Sequence, residues 1–478
     1  MLFNSIVFLL FGALVFALWP LVRRWRNSRF AFLVIASFVF YGWWDWRFLF
    51  LIIGSGLLDY ASGLGMSRFS RVKRLFLVLS LLGNVGSLML FKYSGFFAAN
   101  LEAVLGWIGL EVELRQGMPP FMLVLPVGIS FYTFQSMSYT IDIYRGQLQP
   151  TRNVLHFFAY LALFPQLVAG PIIRAADLLP QLLEDRRTTA EDRWEGLRLV
   201  VHGFFKKMVV ADSLAFYVNG AFGASIPAES SLYWWIIITA FAVQIYCDFS
   251  GYSDIARGLA RWLGYDFMVN FKHPYVAVSL QDFWRRWHIS LSTWFRDYVY
   301  IPLGGSQRGA RRAQLNMWGT MLISGLWHGA AWNFVIWGGI HATSTTMERA
   351  TRWPARVMAL PGGRMLANAI VLLQVWISWV FFRATSFEQA VVILGRMFSF
   401  EGGIGTLWAL LGGINMINLA IFIGGMWLRE AYFFWGLHER PLLPGGWGRR
   451  LEPVGLALAI AACVYLRGPG GAFIYFQF

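Results

Sequence analysis

The chain has 478 residues, of which 57% are hydrophobic, 18% aromatic and only 14% charged. Soluble globular proteins carry about 25% charged residues, so this composition excludes a soluble enzyme, a disordered protein and a fibre. The formal net charge of +15 is explained by Lys and Arg gathered in short cytoplasmic loops, as in multi-span membrane proteins, and it does not indicate nucleic-acid binding.

The first third of the sequence predicts several membrane spans. Its initial apolar run precedes Arg23, Arg24 and Arg26, which predicts a retained first span with these arginines inside rather than a cleaved signal peptide. Apolar residues 30–66 are too long for one span and are interrupted by aromatic and polar residues 43–47, which predicts an out-and-back pair. After the pair come a span at 75–93, an external loop at 94–120 and a span at 121–142.

Residues 154–173 predict a re-entrant segment. Basic loops lie on both sides of this apolar stretch, so a single crossing conflicts with the charge pattern. Pro165, Gly170 and Pro171 interrupt it, and broken helices are tolerated at membrane depth only when the freed backbone is buried in protein.

The rest of the chain continues the pattern as one domain. A crossing begins near residue 195, and a long amphipathic region covers 251–312. Further apolar segments lie at 232–250, 314–341, 366–383, 388–400, 407–428 and 453–467. The prediction is an all-α polytopic membrane protein of about ten or eleven crossings, with residues 1–478 forming a single domain.

His288 is the first candidate for chemistry. If residues 281–298 are helical, Gln281, Arg285, His288 and Ser292 share one face, and Asp282 is placed to pair with Arg286 four residues later. An interfacial amphipathic helix explains the tryptophans and arginines equally well. It does not explain a histidine on the polar stripe.

His328 is the second candidate. It lies in a stretch without charged residues from 313 to 347, and Gly325, Gly329 and Ala330 allow other backbones, or an extended substrate, to come close to the imidazole. A core histidine satisfied by a carbonyl is the alternative. A neutral buried imidazole favours a general base.

Several other chemistries lack support in the sequence. There is no G-x-S-x-G motif and no Gly-Lys pair for a phosphate-binding loop. The spacing of His273, His288, His328 and His341 does not match a metal-binding helix, so no metal is expected. Cys247 and Cys463 lie in apolar stretches and are predicted to be core residues.

The motifs of the central region resemble the membrane-bound O-acyltransferase family, most closely its branch of bacterial alginate O-acetylation proteins. The resemblance extends over residues 125–342, and residues 380–390 show a weaker similarity to the family. The stretches that carry it are LPVGISFYTFQSMSYTIDIYRG (125–146), FFAYLALFPQLVAGPIIR (157–174), QIYCDFSGYSDIARGLARWLGY (244–265), FWRRWHISLSTWFRDYVYIPLGG (283–305) and GLWHGAAWNFVIWGGIHA (325–342).

The resemblance implies a fold, an activity and roles for the two histidines. The fold is a multi-span helical core with re-entrant segments around a central tunnel. His328 corresponds to the histidine that the family regards as catalytic and is expected to act as general base, and His288 is expected to position the acyl oxygen or donate to the oxyanion. The residues expected to bind the donor or support the site are Arg285, Arg286, Asp297, Trp327 and Ser324.

The resemblance also implies the donor, the partners and the location. Acetyl-CoA or another acetyl thioester is the expected donor, without a tightly bound cofactor. It would dock at the cationic surface of Arg285, Arg286, Arg308, Arg311 and Arg312. A multi-pass protein of the inner membrane, contacting lipids, would pass the acetyl group to a polysaccharide such as alginate through a periplasmic acetyltransferase partner.

Three points stay open at this level. Asp297 orients a histidine or pairs with Arg296 or Arg286. A transporter or flippase of an acylated lipid or glycan is the alternative function, in which polar residues line a pathway and no bond is broken. A scaffold for an envelope-polysaccharide complex is a third, in which neither histidine matters.

Overall fold

A computed structural model describes residues 1–122, 124–184, 186–224, 227–436, 447–471 and 473–474. Within these ranges the regular structure is entirely helical, as the apolar composition predicts, because a helix satisfies its own backbone hydrogen bonds in an apolar medium. The all-α class predicted from the sequence is confirmed.

The described residues of the first half of the chain form eleven helices. Their bounds are α1 Ile6–Val22, α2 Arg26–Asp45, α3 Leu49–Arg68, α4 Lys73–Leu88, α5 Ser94–Trp107, α6 Ile129–Tyr144, α7 Val154–Leu161, α8 Phe164–Leu167, α9 Ala175–Leu183, α10 Ala190–Phe204 and α11 Asp212–Gly223.

The described part of the second half forms eleven more. Their bounds are α12 Ser231–Leu263, α13 Leu280–Arg286, α14 Ile289–Phe295, α15 Gly309–His328, α16 Trp332–Thr351, α17 Trp353–Met358, α18 Gly363–Arg383, α19 Phe387–Met397, α20 Ile404–Leu411, α21 Gly413–Phe434 and α22 Trp447–Tyr465. Tighter 3₁₀ turns and wider π turns connect some of them.

The break between α2 and α3 is where the sequence predicts it. A 3₁₀ turn at Trp46–Phe48 separates the helices, and the Asp45 side chain accepts a hydrogen bond from the backbone N–H of Arg47. This cap satisfies one of the donors that a new helix leaves unpaired. The predicted interruption of residues 30–66 is confirmed.

The predicted loop at 94–120 is wrong over its first part. A π turn at Met89–Tyr93 leads directly into α5, which continues to Trp107. Residues 94–107 are mostly apolar and carry only Glu102 as a charged side chain, so nothing in them stops the helix.

Residues 154–173 are broken, as their prolines and glycine predict. α7 ends at Leu161, and α8 begins at Phe164 with Pro165 in its first turn, where a missing N–H costs nothing. The residues of α8 are buried, and the Gln166 amide donates to the carbonyl of Tyr160 at 2.7 Å. The broken backbone is therefore buried in protein, which is the condition for a re-entrant segment at membrane depth.

Two segments of the second half differ from prediction. α12 runs to Leu263, beyond the predicted end at 250, because residues 251–263 have small and apolar side chains on the buried face. The apolar segment 314–341 is two helices, since the chain leaves α15 after His328 and resumes at Trp332.

Several helices are suited to a membrane by length and composition. In the part of the chain that the structure describes, four continuous helical stretches qualify, and α20 with α21, bent by 98° at Gly412, makes a fifth if the pair counts as one span. The four are Asn27–Arg68, which includes α2 and α3, Ser70–Trp107, which includes α4 and α5, Ser231–Leu263 and Gly363–Arg383. The figure of ten or eleven crossings stays a prediction.

The helices group into two compact units. The first comprises residues 1–200 and 255–268, and the second comprises 201–254 and 269–478. Organisation as one domain stays a prediction. Cys247 is buried, as predicted, and Cys463 is half-buried.

Candidate active site

His288 lies at a break between two short helices of the second unit. α13 ends at Arg286, Trp287 is extended, and His288 adopts a left-handed conformation with φ +43° before α14 begins. The single helical face predicted for Gln281, Arg285, His288 and Ser292 is therefore wrong. A non-glycine residue in this conformation costs about 1–3 kcal/mol and persists only where its surroundings fix it, often at functional sites.

Residues 270–272 fix this break. The backbone N–H of Ile289 donates to the carbonyl of Asn270, and that of Lys272 donates to the carbonyl of Arg286, both at 2.9 Å. The Asn270 side chain also faces the turn, because its Oδ1 accepts from the backbone N–H of Ser290 at 3.1 Å. The strained histidine is thus held from both sides.

Asn270 also determines which ring nitrogen of His288 carries the proton. Its Oδ1 lies 3.2 Å from His288 Nδ1 and must be the oxygen of the amide, because a backbone N–H donates to it. Since an amide oxygen only accepts, Nδ1 carries the proton and Nε2 is the basic nitrogen. Burial lowers the pKa of His288 to about 3, so the ring is neutral at pH 7. The predicted donation to an oxyanion from Nε2 would require a second proton.

His328 ends α15 in a tightly packed environment. The imidazole is only 3% exposed. A Cβ at Gly325 would lie 2.2 Å from the carbonyl oxygen of Phe334, and one at Gly329 would lie 2.1 Å from the Phe334 ring. The sequence predicted that these glycines allow either a backbone or a substrate to come close. In the structure the space beside them is filled by the backbone and ring of Phe334 on α16.

Tryptophans connect the two histidines to a third. The ring of Trp327 lies 6.3 Å from that of His288 and 5.0 Å from that of His328. Trp337 lies 5.0 Å from His328 and 4.8 Å from His341, a residue that the sequence reasoning missed as a site neighbour. We call these five side chains the histidine cluster. It brings both predicted histidines into one buried aromatic environment.

His341 is oriented by a serine. Its Nε2 lies 3.1 Å from Ser378 Oγ, and the Ser378 hydroxyl donates to the carbonyl of Val375 at 2.7 Å. Since the serine proton is committed to that carbonyl, Nε2 of His341 is the donor of the pair.

The remaining predicted site residues divide into buried and charged groups. Trp327 and Ser324 are buried in α15. Arg286 Nε donates to Asp282 Oδ1 at 2.8 Å, the pairing predicted from their spacing. Asp297 accepts two hydrogen bonds from Arg296, one of the predicted pairings. Arg285 is exposed.

A cavity of about 940 Å³ adjoins the break that holds His288. Its lining includes the basic side chains of Lys272, Arg286 and Arg364 together with the aromatic rings of Phe271 and Phe433. The other predicted cations, Arg308, Arg311 and Arg312, are exposed around the start of α15. The cavity combines positive charge with apolar wall, a combination suited to an anionic, partly apolar ligand.

A buried ionic group holds the C-terminal residues beside His288. Lys207 Nζ lies 2.8 Å from Asp212 Oδ1 and 2.6 Å from Asp248 Oδ1. The other oxygen of Asp248 accepts from the backbone N–H of Ile474 at 2.7 Å. The preceding Phe473 ring lies 5.4 Å from that of Phe249, and Phe249 lies 4.5 Å from the His288 ring.

Several of these neighbours carry no signal in the sequence. Asn270 is separated from His288 by 18 positions, and nothing in its local sequence marks it as a partner. The acidic and basic residues of the ionic group were visible, but their pairing depends on a π turn at Phe205–Ala211 that places Lys207 inward. Across the described ranges, no three His, Cys, Asp or Glu side chains come together to hold a metal ion.

Comparison with known proteins identifies a family and several relatives of this chain. The model of MBOAT, the membrane-bound O-acyltransferase family, matches residues 149–391. The probable alginate O-acetylase AlgI of Pseudomonas putida is 40% identical over 409 residues, covering 84% of this chain and 81% of the relative. That of Azotobacter vinelandii is 42% identical over 410 residues (84% and 78%). The peptidoglycan O-acetyltransferase of Helicobacter pylori is 33% identical over 398 residues (77% and 74%).

Proposed function

Because the chain belongs to the membrane-bound O-acyltransferase family and is a membrane-embedded acyltransferase, we propose that it moves an acetyl group from a cytoplasmic thioester for O-acetylation of an envelope polysaccharide. Acetyl is the favoured group because the relatives compared above are named O-acetylases or an O-acetyltransferase. Alginate or a similar polymer is the favoured final acceptor, since the more similar of them are named for it.

His328 is the proposed general base. It takes the proton from an incoming hydroxyl, whose oxygen attacks the carbonyl carbon of the thioester. The carbon–sulfur bond breaks, the ester forms, and the thiolate leaves and recovers the proton from the imidazolium. General base catalysis of this kind contributes about 10²–10⁴-fold in rate.

His288 and Trp337 have complementary proposed roles. The Nε2 of His288 would accept a hydrogen bond from another hydroxyl or N–H group of a bound substrate and orient that substrate, because Asn270 holds the proton on Nδ1. The buried indole N–H of Trp337 has no hydrogen-bond partner in the described part of the chain, and its ring lies 5.0 Å from His328. It is a candidate donor to the negative oxygen of the tetrahedral intermediate.

The donor would bind in the cavity beside the His288 break. Lys272 and Arg364 have no acidic partner among the described residues, whereas Arg286 is paired with Asp282. The phosphates of acetyl-CoA, or the acidic surface of a carrier protein, would find positive charge there, and the apolar wall would contact the pantetheine arm.

A partner protein in the periplasm and an inner-membrane location are parts of the same proposal. A cytoplasmic thioester and an acceptor polymer outside the membrane require the acetyl group to leave on the opposite side. A periplasmic acetyltransferase that receives it would complete the transfer to the polysaccharide.

The observation that carries the proposed site is that Trp327 places the rings of His288 and His328 in one buried cluster. The test measures hydrolysis or transfer from an acetyl thioester in purified protein, together with acetylation of cellular polysaccharide. The variants are His328→Ala and His288→Ala, with the exposed His202→Ala as matched control. We expect the first two to fold and lose both activities while the control keeps them.

Two other outcomes would oppose the proposal. Normal turnover in folded His328→Ala would make this residue structural. The second outcome is that His328→Ala loses polysaccharide acetylation while the wild type itself cleaves the thioester only at the background rate. That result would favour transport of an acylated molecule.

A further inference from the structure

A second buried polar site lies in the first unit. It consists of Asp59 on α3, Ser80 and Asn84 on α4, and Ser136 and Thr140 on α6, and we call it the polar cluster. All five side chains are 0% exposed. They lie on helices whose outward faces are largely apolar, so the cluster is the polar interior of an otherwise apolar bundle.

The Asp59 carboxylate is surrounded by neutral groups. Ser80 Oγ donates to its Oδ1 at 2.5 Å, and the Asn84 amide Nδ2 donates to its two oxygens at 3.0 and 2.8 Å. Ser136 Oγ donates to Oδ2. Thr140 Oγ1 lies 2.9 Å from Ser80 Oγ and completes the group.

The negative charge has no positive partner. Among the described residues no Lys, Arg or His forms a hydrogen bond or ion pair with Asp59, and every contact of the carboxylate comes from a hydroxyl or an amide. Neutral donors stabilise a buried carboxylate only in part, and an uncompensated charge among membrane helices is expensive. A positive species would balance it.

Asn84 supplies an independent observation. Its Nδ2 is committed to the carboxylate and to the carbonyl of Ser80, at 3.0 Å. Its carbonyl oxygen Oδ1 is buried and has no hydrogen-bond partner within the described ranges. A buried amide oxygen without a donor is rare and indicates a missing positive or donating ligand.

We propose that the polar cluster binds one sodium ion. The carboxylate, the hydroxyl oxygens of Ser80, Ser136 and Thr140, and the amide oxygen of Asn84 are all hard oxygen ligands, which hard cations prefer. A single carboxylate balances one positive charge, whereas a divalent ion would leave a buried excess. These groups hydrogen-bond to one another, so binding would turn the hydroxyls and the amide from the carboxylate toward the ion, and side chains this short would enclose a small ion.

The ion would join three helices of the first unit. Each of α3, α4 and α6 contributes at least one oxygen ligand, so binding would stabilise their packing and not take part in acyl transfer. Since ligand binding to the native state raises stability by mass action, sodium should stabilise the protein in a saturable way.

The test uses the purified full chain in detergent, with sodium chloride replaced by N-methyl-D-glucamine chloride at constant ionic strength. Thermal unfolding is followed during a sodium titration, and retention of radioactive sodium is counted after rapid gel filtration. Asp59→Asn keeps the size of the side chain without its charge. Asp45→Asn, which changes a half-buried carboxylate that is already paired with Arg47, is the matched control.

We expect sodium to raise the unfolding midpoint of the wild type and of the Asp45→Asn control by several degrees, with one ion retained per chain. Asp59→Asn should lose both effects. Thr140→Val keeps the charge but removes one ligand, so it should weaken sodium binding several-fold, and this second variant serves if the first does not fold.

Two results would overturn the proposal. One is sodium-independent stability of the wild type that changes only with pH, which would mean that a proton on Asp59 balances the charge. The other is an unchanged sodium response in both Asp59→Asn and Thr140→Val, which would locate the ion elsewhere.

Discussion

Both the histidine cluster of the second unit and the polar cluster of the first bury polar side chains, but the local structure around them differs. In the histidine cluster the helices break, His288 adopts φ +43°, and aromatic rings enclose the imidazoles. In the polar cluster the helices are regular, and short side chains surround one carboxylate. Strain accompanies the site where chemistry is proposed, whereas the site proposed to bind an ion needs only regular packing.

The largest expected effect separates chemistry from packing within the histidine cluster. Trp337→Phe keeps an aromatic six-membered ring but removes the indole N–H together with its five-membered ring, so we expect turnover to fall about 10²–10³-fold, as for the loss of one oxyanion donor. Stability should also fall, because Trp337 is fully buried and the smaller ring leaves a cavity. Steady-state kinetics with an acetyl thioester measure the effect.

Trp284→Phe is the control for that substitution, because Trp284 is a neighbour of His341 and not of His328. Equal losses in the two variants would mean that ring packing, and not the Trp337 N–H, matters.

The next effect tests the close approach of α15 and α16 that positions His328. A Cβ at Gly338 would lie 2.4 Å from the carbonyl oxygen of Met321, whereas one at the adjacent Gly339 would lie 3.9 Å from its nearest neighbour. Gly338→Ala should cost about 1–3 kcal/mol of stability, as overpacking does, and should reduce turnover. Gly339→Ala should do neither, and thermal unfolding of the pair decides the point.

A pH profile tests the neutral state of His288. In Asn270→Asp a carboxylate faces Nδ1 and should raise the pKa of His288 from the value of about 3 that burial gives it. Protonation removes the acceptor nitrogen, so activity should fall as pH decreases through the raised pKa, approaching about tenfold for each pH unit below it. The wild type should show no such loss from this group.

Ser253→Ala is the control for the pH experiment, because Ser253 accepts from the other end of the Asn270 side chain at 3.2 Å. A profile shifted alike in both variants would show that Asn270 acts only through general packing.

The smallest expected effect concerns the donor. Replacing Lys272 and Arg364 by Met should raise the KM for acetyl-CoA about fivefold with kcat unchanged, because solvent-exposed charges contribute modestly and are screened by salt. Arg311→Met tests the outer cationic surface predicted from the sequence. A larger rise in KM for Arg311→Met would place the donor there instead of in the cavity.

Sequence reasoning found the histidine cluster better than the polar cluster, for a physical reason. His328 and His288 are unusual residues within aromatic motifs, and a buried titratable ring in an apolar stretch is conspicuous. Asp59 is a single acid in a span, and its partners are small residues spread over Ser80 to Thr140. Only the packing of three helices brings them together.

The fold shows the same division. Prolines and glycines marked the breaks in residues 154–173, and polar and aromatic residues marked the break before α3, because these features act locally. The break at His288 has no such mark. It depends on backbone hydrogen bonds with residues 270–272, and a pattern of side chains along one helix could not reveal that partner segment.

The ionic group of Lys207, Asp212 and Asp248 links the surroundings of His288 to a distant segment of the chain. The Met208 carbonyl and the Asp248 carboxylate accept hydrogen bonds from the backbone N–H groups of Gly468 and Ile474, which holds Phe473 in the aromatic packing near His288. A chain shortened before residue 468 would therefore keep both proposed catalytic histidines and still lack part of the packing that surrounds one of them.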